Sequence, residues 1–380
     1  MKNNAIKTLL CMLLAMLMML GALAENAARA EETQINLDEV SGELAIDDAG
    51  TYVLSGTLTG HVRVNLGEGD VTLILNGATI ESADTAGIIA VSGDSLTILL
   101  AEGTENRVSD GGSDDDYDAA IYSAVALTFD GDGALAVNGN NQEGISTEDA
   151  DMTFNGNGVY TVTSQDDGIN AGGDEGGLIT FGGGTFTINA LGDGIDSNAS
   201  AVFAGATVYV VGSAAGGDAG IDTDAGYTIT GGSVIAIGTD MIETPAEGTT
   251  QFTLALTLED TVAEGSEVSL VDADGNAVAG FTALQDFRTL IVSSDALAVG
   301  SYTLYVDGEA VSVDGADAVE ITDTVTSVGS TGFGMSPEGG FAPDSGMEPP
   351  EGGFGPANGT EPPEGTERPE GDRQPPEDRG

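Results

Sequence analysis

From Gly42 onward the chain reads as short stretches in which apolar and polar residues alternate and which stop at Gly, Asn or Asp: Tyr52-Val53-Leu54, Val62-Arg63-Val64, then Val71-Thr72-Leu73-Ile74-Leu75. A period of two, rich in Val, Ile and Thr, predicts strands buried on one face, and the glycines predict the turns between them. Outside the N-terminal segment no stretch carries the 3.6-residue period of an amphipathic helix, so an all-β fold is expected.

Self-similarity sets the architecture. A Gly-Ile pair between polar residues returns as Glu143-Gly144-Ile145-Ser146, Asp167-Gly168-Ile169-Asn170, Asp193-Gly194-Ile195-Asp196 and Ala219-Gly220-Ile221-Asp222, at glycine spacings of 24, 26 and 26 residues. Gly87-Ile88 and Ala120-Ile121 extend the series upstream, and the 33-residue step between them implies an insertion over Asp110 to Asp118. Each period holds the Gly-Ile segment, a second alternating strand, a glycine turn and a third strand, as in Leu178-Ile179-Thr180-Phe181 followed by Gly182-Gly183-Gly184 and Thr185-Phe186-Thr187-Ile188. Three short strands per period describe one coil of a parallel β-helix. Coils stack at the ~4.8 Å strand spacing, so equivalent residues form ladders. Ile88, Ile121, Ile145, Ile169, Ile195 and Ile221 are expected to form one buried stack.

The repeat ends near Met241, while alternation continues through Phe252-Thr253-Leu254-Ala255-Leu256 and Tyr302-Thr303-Leu304-Tyr305-Val306. At the other end Lys2 and Lys7, the apolar run Leu9–Leu20 and Ala22-Leu23-Ala24 predict a secretory signal. The expected organisation is a signal peptide over 1–24, a polar leader over 25–42 and a parallel β-helix over 43–240. A β-rich region over 241–326 either adds coils or caps the open end, and a disordered Pro/Gly/Glu-rich tail fills 327–380. A secreted or cell-surface-associated monomer is expected, with no membrane contact once the signal is removed.

Charge narrows the partners. The chain has 63 Asp and Glu against 9 Lys and Arg, a formal net charge of -54, so bare phosphate is repelled and no nucleic-acid partner is expected. Beyond the signal there is neither cysteine nor lysine, and all positive charge rests on arginines. Disulfides are excluded, leaving burial, strand ladders and bound metal as sources of stability.

The acids are in register. Glu143, Asp167 and Asp193 precede the repeat glycine, Gln142, Asp166 and Asp218 stand one position earlier, and Ser146, Asn170, Asp196 and Asp222 come two after it. Stacking brings such carboxylates one coil apart, where like charges repel unless neutralised. Calcium takes six to eight oxygens from carboxylates, amides and carbonyls. Glu143, Asp166, Asp167, Asn170, Asp193, Asp196, Asp218, Asp222 and Asp224 are therefore candidate ligands. The competing reading is that they build turns by accepting main-chain hydrogen bonds. Asp272-Ala273-Asp274-Gly275-Asn276 looks like the start of an EF-hand loop but lacks its later glycine and acid, so a hairpin turn is expected there.

Catalysis lacks its inventory. Gln165-Asp166-Asp167-Gly168 resembles the Asp pair of polygalacturonases, yet the Gly-His-Gly and Arg-Ile-Lys segments of those enzymes have no counterpart. Calcium-dependent pectate lyases need an Arg or Lys base, and Arg63, Arg107 and Arg288 fall outside the acid-rich coils. His61 is expected to be a surface or turn residue, and Tyr117, Tyr122, Tyr160, Tyr209 and Tyr227 are core or ladder fillers or sugar-stacking rings.

Gly50-Thr51-Tyr52-Val53-Leu54-Ser55-Gly56, Val71-Thr72-Leu73-Ile74-Leu75-Asn76-Gly77 and the Asp-Gly-Ile-Asp coils resemble a bacterial family of secreted carbohydrate-binding β-helix proteins, over about residues 43 to 310. The resemblance implies a right-handed, pectate-lyase-like parallel β-helix with bound calcium that binds cellulose and pectin. It assigns the calcium to Asp167, Asp193, Asp196 and Asp222, with Ala219 breaking the first column. The expected function is non-catalytic, calcium-stabilised binding of plant cell-wall polysaccharide, acidic pectic chains being favoured over cellulose because calcium can bridge two polyanions. The alternatives are a pectinolytic lyase or hydrolase and a cell-surface adhesin or spacer.

Overall fold

The computed structural model describes residues 32–112, 117–174, 176–213, 218–239 and 241–329. The expected signal peptide and nearly all of the expected tail lie outside them. Among the described residues no helix is long and apolar enough to cross a membrane.

The chain folds as a parallel β-solenoid with three faces. The first face carries the Gly-Ile segments: Gly42–Ile46, the second half of Gly50–Asn65, Ile88–Ser92, Ala119–Ser123, Glu143–Glu148, Ile169–Gly172, Ile195–Ser197 and Ile221–Thr223, each pairing in parallel with the next. The second face runs through Ser95–Leu100, Ala126–Gly131, Met152–Phe154, Ile179–Phe181, Ala201–Phe203 and Tyr227–Ile229. The third runs through Glu105–Ser109, Ala134–Asn138, Val159–Thr163, Thr185–Asn189, Thr207–Val211 and Ser233–Gly238.

Strict register follows from the pleat, because a one-residue slip would turn every inward side chain to solvent. The isoleucine stack forms as the repeat requires: Ile88, Ile121, Ile145, Ile169, Ile195 and Ile221 pair in succession, and none is more than 3% exposed. Beside it Phe129, Phe154, Phe181 and Phe203 stack with ring centroids 4.8, 5.2 and 4.8 Å apart, the coil spacing itself. Tyr160 and Phe186 stack at 4.6 Å and meet these rings edge-on.

The solenoid starts earlier than the expected boundary at 43. Thr33–Asn36 pairs with Tyr52–Ser55, and Leu37 is fully buried, plugging the first coil with a residue from the supposed leader. At the far end the β-rich region forms a cap. Phe287–Ser294 pairs antiparallel with the last solenoid strand, Ser233–Gly238, and with Thr253–Val262. Ala255 and Ile291 thereby join the solenoid core. A five-stranded sheet built on Glu267–Asp272 and Gly300–Val306 packs Val268, Leu270 and Leu304 against Leu256, Phe287 and Leu290. The strand Val325–Val328 pairs with Thr253–Leu256, so this unit runs past the expected boundary at 326.

Candidate functional site

The outward positions of the first face form one row across the coils: Arg63, Ile89, Tyr122, Ser146, Asn170, Asp196 and Asp222. A single residue position thus changes along the solenoid from cationic to apolar to polar to acidic. Immediately before this face the chain turns at the repeat glycine. There the coils approach so closely that a Cβ on Gly194 would stand 2.2 Å from Val210 Cγ2 and 2.5 Å from the Gly220 carbonyl oxygen. The residue preceding each glycine is held equally close to its neighbours. The main-chain N–H groups of Glu143, Gly144, Gly168 and Gly194 donate in turn to the carbonyls of Asp118, Asp167, Asp193 and Ala219. By register the file is Ala119, Glu143, Asp167, Asp193, Ala219, with Asp118 one position before it.

At the acidic end Asp193, Asp196 and Asp222 each place one carboxylate oxygen within 4.8 Å of the other two. Burial pushes Asp193 up to about 8, with Asp167, Asp222 and Asp196 adding to it. Asp196 is pushed up to about 7 by burial and then by Asp167, Asp222 and Asp224. Asp222 is raised by burial despite a main-chain bond from Thr223. Asp167 reaches about 6, burial again leading. The common cause is desolvation of anions that no cation offsets. Among the described residues the nearest arginine of this face, Arg63, lies five strand spacings from Asp196, about 24 Å. Arg107 faces Glu81 and His61 faces Glu43.

Part of the acid file also builds turns. Asp167 Oδ1 accepts the Asp193 N–H at 2.7 Å, and Asp193 Oδ1 accepts that of Ala219. Asn170 donates its amide nitrogen to Asp167 Oδ2 at 3.0 Å and to Asp196 Oδ2 at 3.3 Å. As placed here, it braces the acids through nitrogen, and its oxygen faces away. Asp166 and Asp224 are exposed, and Asp218 is partly exposed. Of the nine candidates, the structure gathers Asp193, Asp196 and Asp222 into one group, with Asp167 beside them.

Four residues outside the candidate set join the acidic surroundings. Glu243, just beyond the repeat, folds back to accept Thr223 Oγ1 and is pushed up to about 7 by burial and Asp222. Asp118 lies above Glu143 and hydrogen-bonds its carboxyl. Burial and then Asp118 push Glu143 up to about 8. Tyr122 Oη donates to Glu148. Asp118 was hidden in the insertion, Glu148 and Tyr122 hold repeat positions without a recurring type, and nothing local marks Glu243. Asp272 spends its carboxylate on Asp274 N–H at 3.0 Å and Asn276 N–H at 2.8 Å, so that segment is the expected hairpin turn.

The triad fits a calcium ion. Two oxygens bound to one ion at 2.3–2.6 Å stand at most about 5 Å apart, and separations within 4.8 Å are of the size that one ion bridges. Three hard carboxylates with no cationic neighbour among the described residues are a donor set that suits calcium.

A family model described as carbohydrate-binding domain-containing protein matches residues 41–280. A carbohydrate-binding domain-containing protein of Acetivibrio thermocellus is 31% identical over 144 residues, covering 34% of this chain. The match spans 50% of that relative's own length. A solved structure described as the polysaccharide lyase-like protein from C. thermocellum, a gadolinium derivative, aligns at 26% identity and a TM-score of 0.41, over 52% of this chain and 96% of that one. Because the family model spans most of the chain, including every coil that carries the acid file, this protein belongs to the carbohydrate-binding domain-containing protein family.

Proposed function

We propose that this chain is an exported, non-catalytic polysaccharide-binding protein whose solenoid is stabilised by calcium, with acidic pectic glycans as the favoured ligand. The observation that carries the reading is the convergence of Asp193, Asp196 and Asp222 within 4.8 Å with no compensating cation among the described residues. These three would hold the ion, with Asp167 and Glu243 adding negative potential. The ion neutralises the file and leaves coordination positions that sugar carboxylates complete, which lets a polyanionic protein hold a polyanionic glycan. Export rests on the N-terminal Lys2, Lys7 and apolar run.

A lyase needs a base beside the metal-bound sugar. The distance of about 24 Å from Arg63 to Asp196, five strand spacings, argues against that role. The test is retention on insoluble pectate and cellulose with and without chelator, run beside an assay for unsaturated or reducing-end products. Calcium-dependent retention without turnover is expected. Turnover on polygalacturonate abolished by Asp167→Ala would reject the binding-only reading, and no retention on either glycan would reject polysaccharide binding.

A further inference from the structure

A cleft of about 230 Å³ opens on the same face, on the Arg63 side of the carboxylate triad, lined by Asp118, Tyr122, Glu143, Ser146, Glu148 and Asn170. Two side-chain oxygens of its lining residues are buried and have no hydrogen-bond partner: Glu143 Oε2, on a side chain only 8% exposed, and Asn170 Oδ1. Both act as acceptors. The Asn170 nitrogen is committed to Asp167 and Asp196, which fixes the amide with its oxygen turned from them. The Glu143 carboxyl meets Asp118 through its hydrogen bond, leaving Oε2 free. Buried acceptors without donors are rare in folded proteins and point to a missing partner.

We propose that the cleft is a subsite for one neutral pyranose unit of the bound polysaccharide, whose hydroxyl groups donate to Glu143 Oε2 and Asn170 Oδ1. The proposal rests on the polysaccharide-binding reading and adds to it the chemical class of sugar taken beside the metal centre. Size favours a sugar ring. The volume far exceeds the ~15 Å³ that one water needs and falls short of the ~300 Å³ at which drug-sized sites begin. A second metal is disfavoured, because the carboxyls here pair with their neighbours, Asp118 with Glu143 and Glu148 with Tyr122. Among the described residues only Asp193, Asp196 and Asp222 converge as a metal-holding group. A uronate is disfavoured too: the lining has no cationic side chain, its acids repel a carboxylate, and the Tyr122 hydroxyl is already spent. Ser146 lies two strand spacings from Asp196, about 10 Å, so a glycan along this face meets the cleft and the triad in succession.

Calorimetric titration of the full mature chain in calcium tests this, with cellotetraose and galactotetraose as neutral probes and tetragalacturonate as the acidic one. Glu143→Gln replaces the free acceptor, and Ser146→Met fills the cleft from its floor. At least one neutral probe is expected to bind, both variants weakening it tenfold or more, while Ser146→Met keeps the wild-type rise in thermal midpoint with calcium. Neutral binding that survives both variants, or binding of tetragalacturonate alone, overturns the subsite and leaves polysaccharide binding standing. A second terbium ion lost in Glu143→Gln makes the cleft a cation site and likewise overturns it. Failure of the wild type to bind every probe and to be retained on pectate or cellulose overturns the polysaccharide reading itself.

Discussion

Replacing Asp196 and Asp222 together by Asn separates a metal site from a set of turn-building acids, because the two accounts predict opposite signs in the metal-free protein. With carboxylate oxygens within 4.8 Å of one another, each unit-charge pair repels by about 3.5 kcal/mol at an effective dielectric constant of ~20. Burial and mutual repulsion hold Asp193 near 8 and Asp196 near 7, so protons relieve part of that strain at neutral pH. At pH 8 the net gain from removing two charges is on the order of 2–3 kcal/mol. Asn keeps the acceptor that Asn170 uses on Asp196, so size and hydrogen bonding change little. At ~2–4 °C per kcal/mol, the metal-free variant should melt about 5–10 °C above the metal-free wild type. Calcium at a thousandfold excess over its dissociation constant adds about 4.1 kcal/mol to the wild type and little to the variant. The two melting temperatures, followed by circular dichroism in chelator and in calcium, should therefore change order. A metal-free variant less stable than the wild type, or an undiminished response to calcium, would refute the reasoning.

Other expectations follow from the same geometry. Asp193 and Asp196 have folded-state values raised to about 8 and about 7 from 3.8, so between these limits the folded protein holds protons that the unfolded chain releases. Metal-free stability therefore falls as pH rises through that window, and the thermal midpoint in chelator should be higher at pH 5 than at pH 8. An unchanged midpoint would show that the acids are not strained. Phe181→Ala removes the middle of the aromatic stack and should cost about 3–5 kcal/mol in denaturant unfolding. Gly194→Ala drives a methyl group against Val210 and the Gly220 carbonyl oxygen. Overpacking of this kind costs about 1–3 kcal/mol, and because Gly194 adjoins Asp193 the variant should also lose part of its calcium response.

The coils were legible because stacking imposes the same demand at every turn. An inward isoleucine and a glycine without a Cβ are required wherever neighbouring coils touch, so Ile145, Ile169, Ile195 and Ile221 with their glycines print a period on the chain. The acid file was legible for the same reason, since register places Asp167 and Asp193 in line. What the repeat does not impose was not legible. Glu243 reaches the site from beyond the last coil, and Asp118 sits at the end of an insertion. The side of the Asn170 amide that faces the acids depends on which neighbours accept hydrogen bonds. Thr33–Asn36 and Leu37 looked like a polar leader because only a few apolar residues are needed to close a solenoid end. The antiparallel cap was visible only as alternating strands, since pairing partners such as Ser233–Gly238 with Phe287–Ser294 leave no local trace.

An anomalous difference map from crystals grown in calcium probes the metal assignment directly. A peak with oxygens of Asp193, Asp196 and Asp222 at about 2.3–2.6 Å is the predicted result. Carboxyl groups hydrogen-bonded to one another at that place, with no ion between them at a pH where all three would otherwise ionise, would contradict it.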